Sequence, residues 1–180
     1  EYRVHAIIEG RQEVCRGEQL VVATGRRPTT ADLGLAEAGV RAGARGEIVV
    51  DEHLRTSTPD IYAAGDCIGE PMYVYMAAYA GGLAAENALS GVGRIYDLTA
   101  LPHVTFTDPQ IASVGLTEQQ AKAQGRGIKT AVLPLGHVPR AQAARNTKGL
   151  IKLIAEADTG RLLGAHVLAA EAGEVIQEAT

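Results

Sequence analysis

The chain has 180 residues, 46% of them hydrophobic and 21% charged, with a formal net charge of −4 and a mean hydropathy of +0.01. That suits about one ordinary domain with a real core and excludes general disorder. The small negative charge, with no Lys/Arg cluster, argues against nucleic acid, and no apolar run approaches the roughly 20 residues of a membrane span. Both ends read as truncated. Glu1-Tyr2-Arg3-Val4-His5 has no starting Met and no secretory character, and Glu171 to Thr180 reads as a helix cut in mid-course. A fragment of a longer protein is expected.

In chain order, Tyr2 to Ile8 alternates as a half-buried strand does, and Gly10 follows as a turn. Leu20-Val21-Val22-Ala23 is a continuous apolar run, the pattern of a strand buried on both faces. Ala31 to Gly39 predicts a short helix. Gly46 to Asp51 and Asp60 to Gly65 predict two further short strands. Pro71 to Leu89 keeps helical spacing, with Pro71 in the first turn and Ser90-Gly91 closing the helix. Small residues from Ala77 to Ala85 crowd its middle, so another backbone or a flat ligand could come close.

The texture changes near Asp97. Strand patterns now dominate, at His103–Thr107, Ile111–Val114, Ile128–Leu135, Gly149–Glu156 and Leu162–Leu168. Thr117-x-x-Gln120 is a capping-box start for a helix to Gln124. Asp158-Thr159-Gly160 predicts a hairpin turn and Asp108-Pro109 a turn start. The expected fold class is α/β for residues 1–97 and α+β, with a mixed sheet flanked by helices, for residues 98–180.

Two short segments carry the chemistry. Thr24-Gly25 and Gly65-Asp66 each end an expected buried strand, where doubly wound sheets bind ligands. The glycines admit close backbone approach, and Asp66 offers a carboxylate to sugar-like hydroxyls. Each alone reads equally as an ordinary turn or cap; the pair, followed by a small-residue helix, is more specific. Periodicity by itself makes Val74 a core residue. Tyr73 and Tyr75, at i and i+2, cannot share a helix face. His5, His53, His103, His137 and His166 lack ligand spacing, so no metal site is expected in this segment. Arg140 and Arg145 read as interface ion pairs or as solvated surface. Cys15 and Cys67, 52 positions apart, form neither a zinc knuckle nor a close redox pair and suit a reducing cytoplasm. No Gly-x-Gly-x-x-Gly occurs.

Val22-Ala-Thr-Gly-Arg-Arg-Pro28, Thr56-Ser-Thr-Pro-Asp-Ile-Tyr-Ala-Ala-Gly-Asp66 and Phe106-Thr-Asp-Pro-Gln-Ile-Ala-Ser-Val-Gly115 resemble the class I pyridine nucleotide–disulfide oxidoreductases. The resemblance covers essentially the whole chain. It implies the end of an NAD(P)-binding domain and the returning FAD-binding segment over 1–97, then a dimerisation domain over 98–180. Pro71 to Ala78 and Leu135 to Ala141 look most like the mercuric ion reductase branch. That implies NADPH reducing FAD, FAD reducing a cysteine pair, and Hg(II), presented with small thiols, leaving as Hg(0). By the same resemblance Asp66 binds the ribityl chain of FAD with Gly65 close by. Thr24 and Gly25 lie on the adenosine and pyrophosphate side, Val74 approaches the flavin through its backbone, and Tyr73 and Tyr75 line the active site. The family's redox cysteines, both nucleotide fingerprints and the C-terminal tail are absent here, so no catalytic or metal-binding residue is expected in the segment. A cytoplasmic homodimer is implied. Two alternatives stay open: dihydrolipoamide dehydrogenase, and a dimerisation module without cofactor.

Overall fold

A computed structural model describes residues 1–180 as two compact units, Glu1–Tyr96 and Asp97–Thr180. The first opens with a hairpin of β1 (Tyr2–Ile8) and β2 (Arg11–Gly17), antiparallel in the register Tyr2↔Gly17 to Ile8↔Arg11. Its two-residue turn, Glu9-Gly10, has left-handed backbone at both positions, which matches the twist of paired strands. The predicted strand is there, but its alternating side chains are mostly exposed. The strand Arg11–Gly17 was not foreseen, because its mostly polar sequence has no hydrophobic period.

The three short buried strands expected downstream do not form. Leu20 to Ala23 pairs with nothing, and Val21 is 88% exposed. Gly46 to Asp51 and Asp60 to Gly65 contribute only the isolated bridges Ala42↔Ile48 and Arg55↔Tyr62. A strand needs a neighbour to take its backbone hydrogen bonds, and the first run has none in this chain. Ala31–Gly39 is likewise a series of turns rather than a helix. Its bonds span three, four and five residues in succession (Leu33 to Thr30, Ala38 to Gly34, Val40 to Leu35) and never settle into an i to i−4 ladder.

These loops gain their order by packing on a helix. Helix α1 spans Val74–Ser90, and Met76, Ala80, Leu83, Ala84 and Asn87 form its buried stripe at helical spacing. Leu54 is fully buried against Ala80, Leu83 and Ala84, flanked by Val50, Tyr62, Ile68 and Tyr96. Val40, Ile48 and Ala63 make an adjoining cluster with Leu35 and Cys67. Gly91, left-handed, donates its N–H to Asn87 O at 3.1 Å and ends the helix as foreseen. The start differs from expectation: Tyr73 is the N-cap, and Pro71 lies ahead of the first turn.

Asn87 is the polar member of the stripe. Its side chain donates to His53 O at 3.0 Å and Arg94 O at 2.9 Å, and accepts from Arg94 N–H at 2.7 Å. One buried amide thus satisfies two separate backbone segments beside the helix.

The second unit is a five-stranded sheet in the order β3-β4-β7-β6-β5. Its strands are β3 (His103–Thr105), β4 (Gln110–Gly115), β5 (Ile128–Pro134), β6 (Leu150–Glu156) and β7 (Leu162–Ala169). Between them lie α2 (Glu118–Ala123) and α3 (Pro139–Ala143), and α4 (Ala172–Val175) follows. The expected mixed sheet is antiparallel in every pairing. A tight turn joins β6 to β7, with Gly160 N–H on Glu156 O at 3.0 Å, so no crossover of the kind parallel neighbours require is formed there. β3 ends two residues early, where Thr107 Oγ1 donates to Pro109 O at 2.8 Å and turns the chain. The core collects Ala112 and Val114 of β4, Ala165, Val167 and Ala169 of β7, and Leu135, Ala172 and Ile176.

Helix α2 carries the capping box its sequence announces: Thr117 Oγ1 accepts from Gln120 N–H, and Gln120 Oε1 accepts from Thr117 N–H. Glu118 in its first turn takes one ammonium on each oxygen, Lys122 and Lys152 both at 2.6 Å. Lys152 comes from β6, so the pair ties α2 to the sheet.

Two measurements test these assignments. Asn87→Ala removes the amide from His53 O and from Arg94 N–H, leaves Arg94 O only the His53 ring nitrogen, and is expected to lower stability by about 1–3 kcal/mol in denaturant titration. The Lys122 and Lys152 ammoniums hold the Glu118 carboxyl down from 4.5 to about 2. A depressed folded-state pKa stabilises the fold above pH 4.5, and that contribution is lost as pH falls toward about 2. NMR of the carboxyl carbon should therefore show Glu118 still ionised near pH 3, and Lys152→Met should move its titration upward.

Candidate functional site

Three segments of the first unit meet at the start of α1. Gly65 has φ 81 and ψ −156, a backbone conformation that only glycine adopts readily. A Cβ there would lie 3.2 Å from Ala77 Cβ, so Gly65 is held directly against the opening turns of α1. Asp66 follows as the first residue of a one-turn 3-10 helix, Asp66–Ile68, with its carboxylate 53% exposed. Behind it, Cys67 Sγ donates to Ala64 O at 3.2 Å.

Thr24 and Gly25 lie exposed on the extended segment that precedes the turns. Gly25 has φ 136, and nothing crowds the position of its missing Cβ. Backbone direction is thus what glycine supplies at this point. The next residue, Arg26, brings its guanidinium to 4.0 Å from Asp66 Oδ2. Sequence reading passed over Arg26; the signal available was its place immediately after Gly25 in the motif. The strand ends on which Gly25 and Gly65 were expected are extended loops, yet the structure brings the two loops together through Arg26 and Asp66.

No side chain caps α1 at its N-terminus, and no acidic residue occupies its first turn. The partial positive charge of that helix end is therefore not offset by a carboxylate within the helix's first turn. Val74, the first helical residue, is 86% exposed, which overturns the reading of it as a core residue. Tyr73 and Tyr75 were expected on different faces, but their rings stack at 5.2 Å between centroids and 5° between planes. Tyr73 is the extended N-cap (φ −121, ψ 144), so helical spacing does not apply to it. Burial, and then the neighbouring Tyr73, push the Tyr75 phenol above its ordinary value. Near neutral pH it stays an uncharged hydroxyl.

The arrangement has a definite chemical character. It offers an exposed carboxylate for hydroxyl groups, an uncompensated helix start for negative charge, and neutral phenols rather than competing ligands. A polyhydroxylated ligand that carries negative charge matches these donors and acceptors.

The second unit carries the other segment singled out by sequence. Val138 and Ala141 line a groove of about 730 Å³ with Leu135, Ile151 and Ala169, and Arg140 pairs at its rim with Glu171 at 3.7 Å. Arg140 is 90% exposed, so this is a solvated surface pair within the chain. No group of three or more His, Cys, Asp or Glu side chains is arranged to hold a metal ion, and both cysteines are free.

Two family profiles match the chain. Residues 2–81 match the pyridine nucleotide-disulphide oxidoreductase profile, and residues 101–180 match the dimerisation domain of the same family. Among curated relatives, a mercuric reductase of Bacillus cereus is 53% identical over 178 residues, which is 99% of this chain and 28% of the relative. A mercuric reductase of Streptomyces lividans is 56% identical over 172 residues, 96% of this chain and 36% of the relative. Among solved structures, the HOCl-induced flavoprotein disulfide reductase RclA of Escherichia coli superposes with TM-score 0.83 at 34% identity, covering 99% of this chain and 41% of that one. LpdA of Mycobacterium tuberculosis superposes with TM-score 0.84 at 31% identity, covering 93% and 36%. The chain thus spans about a third of the length of the proteins it matches. With residues 2–81 and 101–180 matched by two profiles of one family and the folds superposing, the chain belongs to the pyridine nucleotide-disulphide oxidoreductase family.

Proposed function

We propose that this chain is part of a mercuric reductase, a flavoprotein that reduces Hg(II) to Hg(0) with NADPH. The observation that carries the reading is the identity gap. The two mercuric reductases are 53% and 56% identical over nearly all of this chain, against 34% for RclA and 31% for LpdA, which share the fold.

The residues at the start of α1 fit FAD. Asp66 accepts hydrogen bonds from ribityl hydroxyls, and Gly65 keeps that approach free of a side chain. Thr24 and Gly25 border the adenosine and pyrophosphate side. The backbone N–H of Val74, at a helix start without side-chain cap or first-turn acid, would serve the part of a bound flavin where negative charge gathers on reduction. When bound, FAD carries the two electrons of NADPH to a cysteine pair supplied by another part of the protein, and Hg(II) accepts them there. Thiolates suit that soft cation. Cys15 is exposed on the hairpin and Cys67 is engaged with Ala64 O, so neither is assigned to the pair. Tyr73 and Tyr75 line the site with hydroxyls, which donate hydrogen bonds to a metal-bound thiolate without competing as strong ligands. The second unit serves a homodimer, Hg(II) arrives with small thiols, and the enzyme works in the cytoplasm. No helix is long and apolar enough to cross a membrane.

The full-length protein, assayed with NADPH, excess small thiol and Hg(II), should oxidise NADPH and release volatile mercury. Rapid turnover of dihydrolipoamide with NAD, without mercury release, would replace this reading with dihydrolipoamide dehydrogenase. A charge-assisted hydrogen bond is worth about 1.5–3 kcal/mol, so Asp66→Ala should weaken FAD roughly tenfold or more in equilibrium titration of the apoprotein. Unchanged affinity would remove Asp66 from the site.

A further inference from the structure

We infer that Arg26 is a positioning residue of the flavin site, acting through Asp66 rather than on the ligand itself. The inference rests on the flavin reading of Gly65-Asp66 and adds to it a residue from a different segment.

Two independent glycines, each in a conformation that L side chains rarely adopt, immediately precede the two partners. Gly25, at φ 136, precedes Arg26; Gly65, at φ 81 and ψ −156, precedes Asp66. Crowding does not demand glycine at position 25, where a Cβ would meet nothing within 4 Å. Their joint outcome is a guanidinium 4.0 Å from a carboxylate across 40 residues of sequence. The side chains are 62% and 53% exposed, and a solvated ion pair of that kind adds little to folding. What it does supply is direction. The guanidinium lies on the Oδ2 side and leaves Oδ1 for other donors, so it biases the carboxylate toward one orientation with a free face. Asp66 has no other ion-pair partner in the chain, so without Arg26 it samples its rotamers freely. A ligand hydroxyl then meets it in the right pose only part of the time.

The test is a double-mutant cycle on FAD binding to the full-length apoprotein, read by quenching of flavin fluorescence. Arg26→Met removes the charge and keeps the stem, and Arg26→Lys restores a cation. Arg26→Met is expected to weaken FAD about threefold, the scale of one exposed ion pair, with Arg26→Lys recovering most of the loss. In an Asp66→Ala background, Arg26→Met should have no further effect, because its target is gone. Thermal unfolding of the apoproteins should not distinguish wild type from Arg26→Met, whereas a merely structural role would lower it. A loss that is the same in both backgrounds, or no loss in either, overturns the positioning role while Asp66→Ala still weakens FAD. If Asp66→Ala itself leaves FAD affinity unchanged, the flavin reading fails first and takes this inference with it.

Discussion

Gly65 lies directly against Ala77 of α1, and much of the first unit depends on that packing. A helix with Ala77, Ala80 and Ala84 on or beside its buried face lets loop backbone approach it closely. Leu54 fills the space left by those small side chains and is fully buried there. Removing such a side chain from a packed site typically costs about 2–5 kcal/mol, which is the order of stability a loop-rich unit can draw from one residue. Because regular strands are scarce between residues 18 and 73, packing on α1, aided by the amide of Asn87, orders that stretch.

The same proximity gives the site its electrostatics. Asp66 is brought to the opening turns of α1, yet its charge is met by Arg26 from a third segment. The helix start keeps its partial positive charge because none of its first-turn residues is acidic. A carboxylate for hydroxyls and a helix end for negative charge can then serve one ligand without cancelling each other. The stacked Tyr73 and Tyr75 add neutral hydroxyls at the edge of that arrangement.

The second unit solves a different problem. Its sheet is antiparallel throughout, with β7 central and buried on alternate residues against β4 and the short helices that follow. The Glu118 carboxylate, shared by two lysines, pins α2 to β6. Ile111, Val132, Leu133 and Leu153 remain exposed on the strands, in keeping with a domain whose family profile is one of dimerisation.

Local sequence determined the elements whose hydrogen bonds are local. The capping box of α2, the left-handed close of α1 at Gly91 and the β6–β7 turn all form as their residues dictate, since each is completed within a few positions. The segments around Gly25 and Gly65-Asp66 stand out in the sequence only as a pair, because each alone reads equally as an ordinary turn or cap. Tertiary structure alone decided the rest. Whether Leu20 to Ala23 becomes a strand depends on neighbours that no local pattern encodes, and here it stays unpaired. Val74 carries an apolar side chain at core spacing but sits at a helix start facing outward, and Tyr73 escapes the helical period by being its cap. The encounter of Arg26 with Asp66 spans 40 residues, and only the packing of their loops beside α1 brings that charge to that carboxylate.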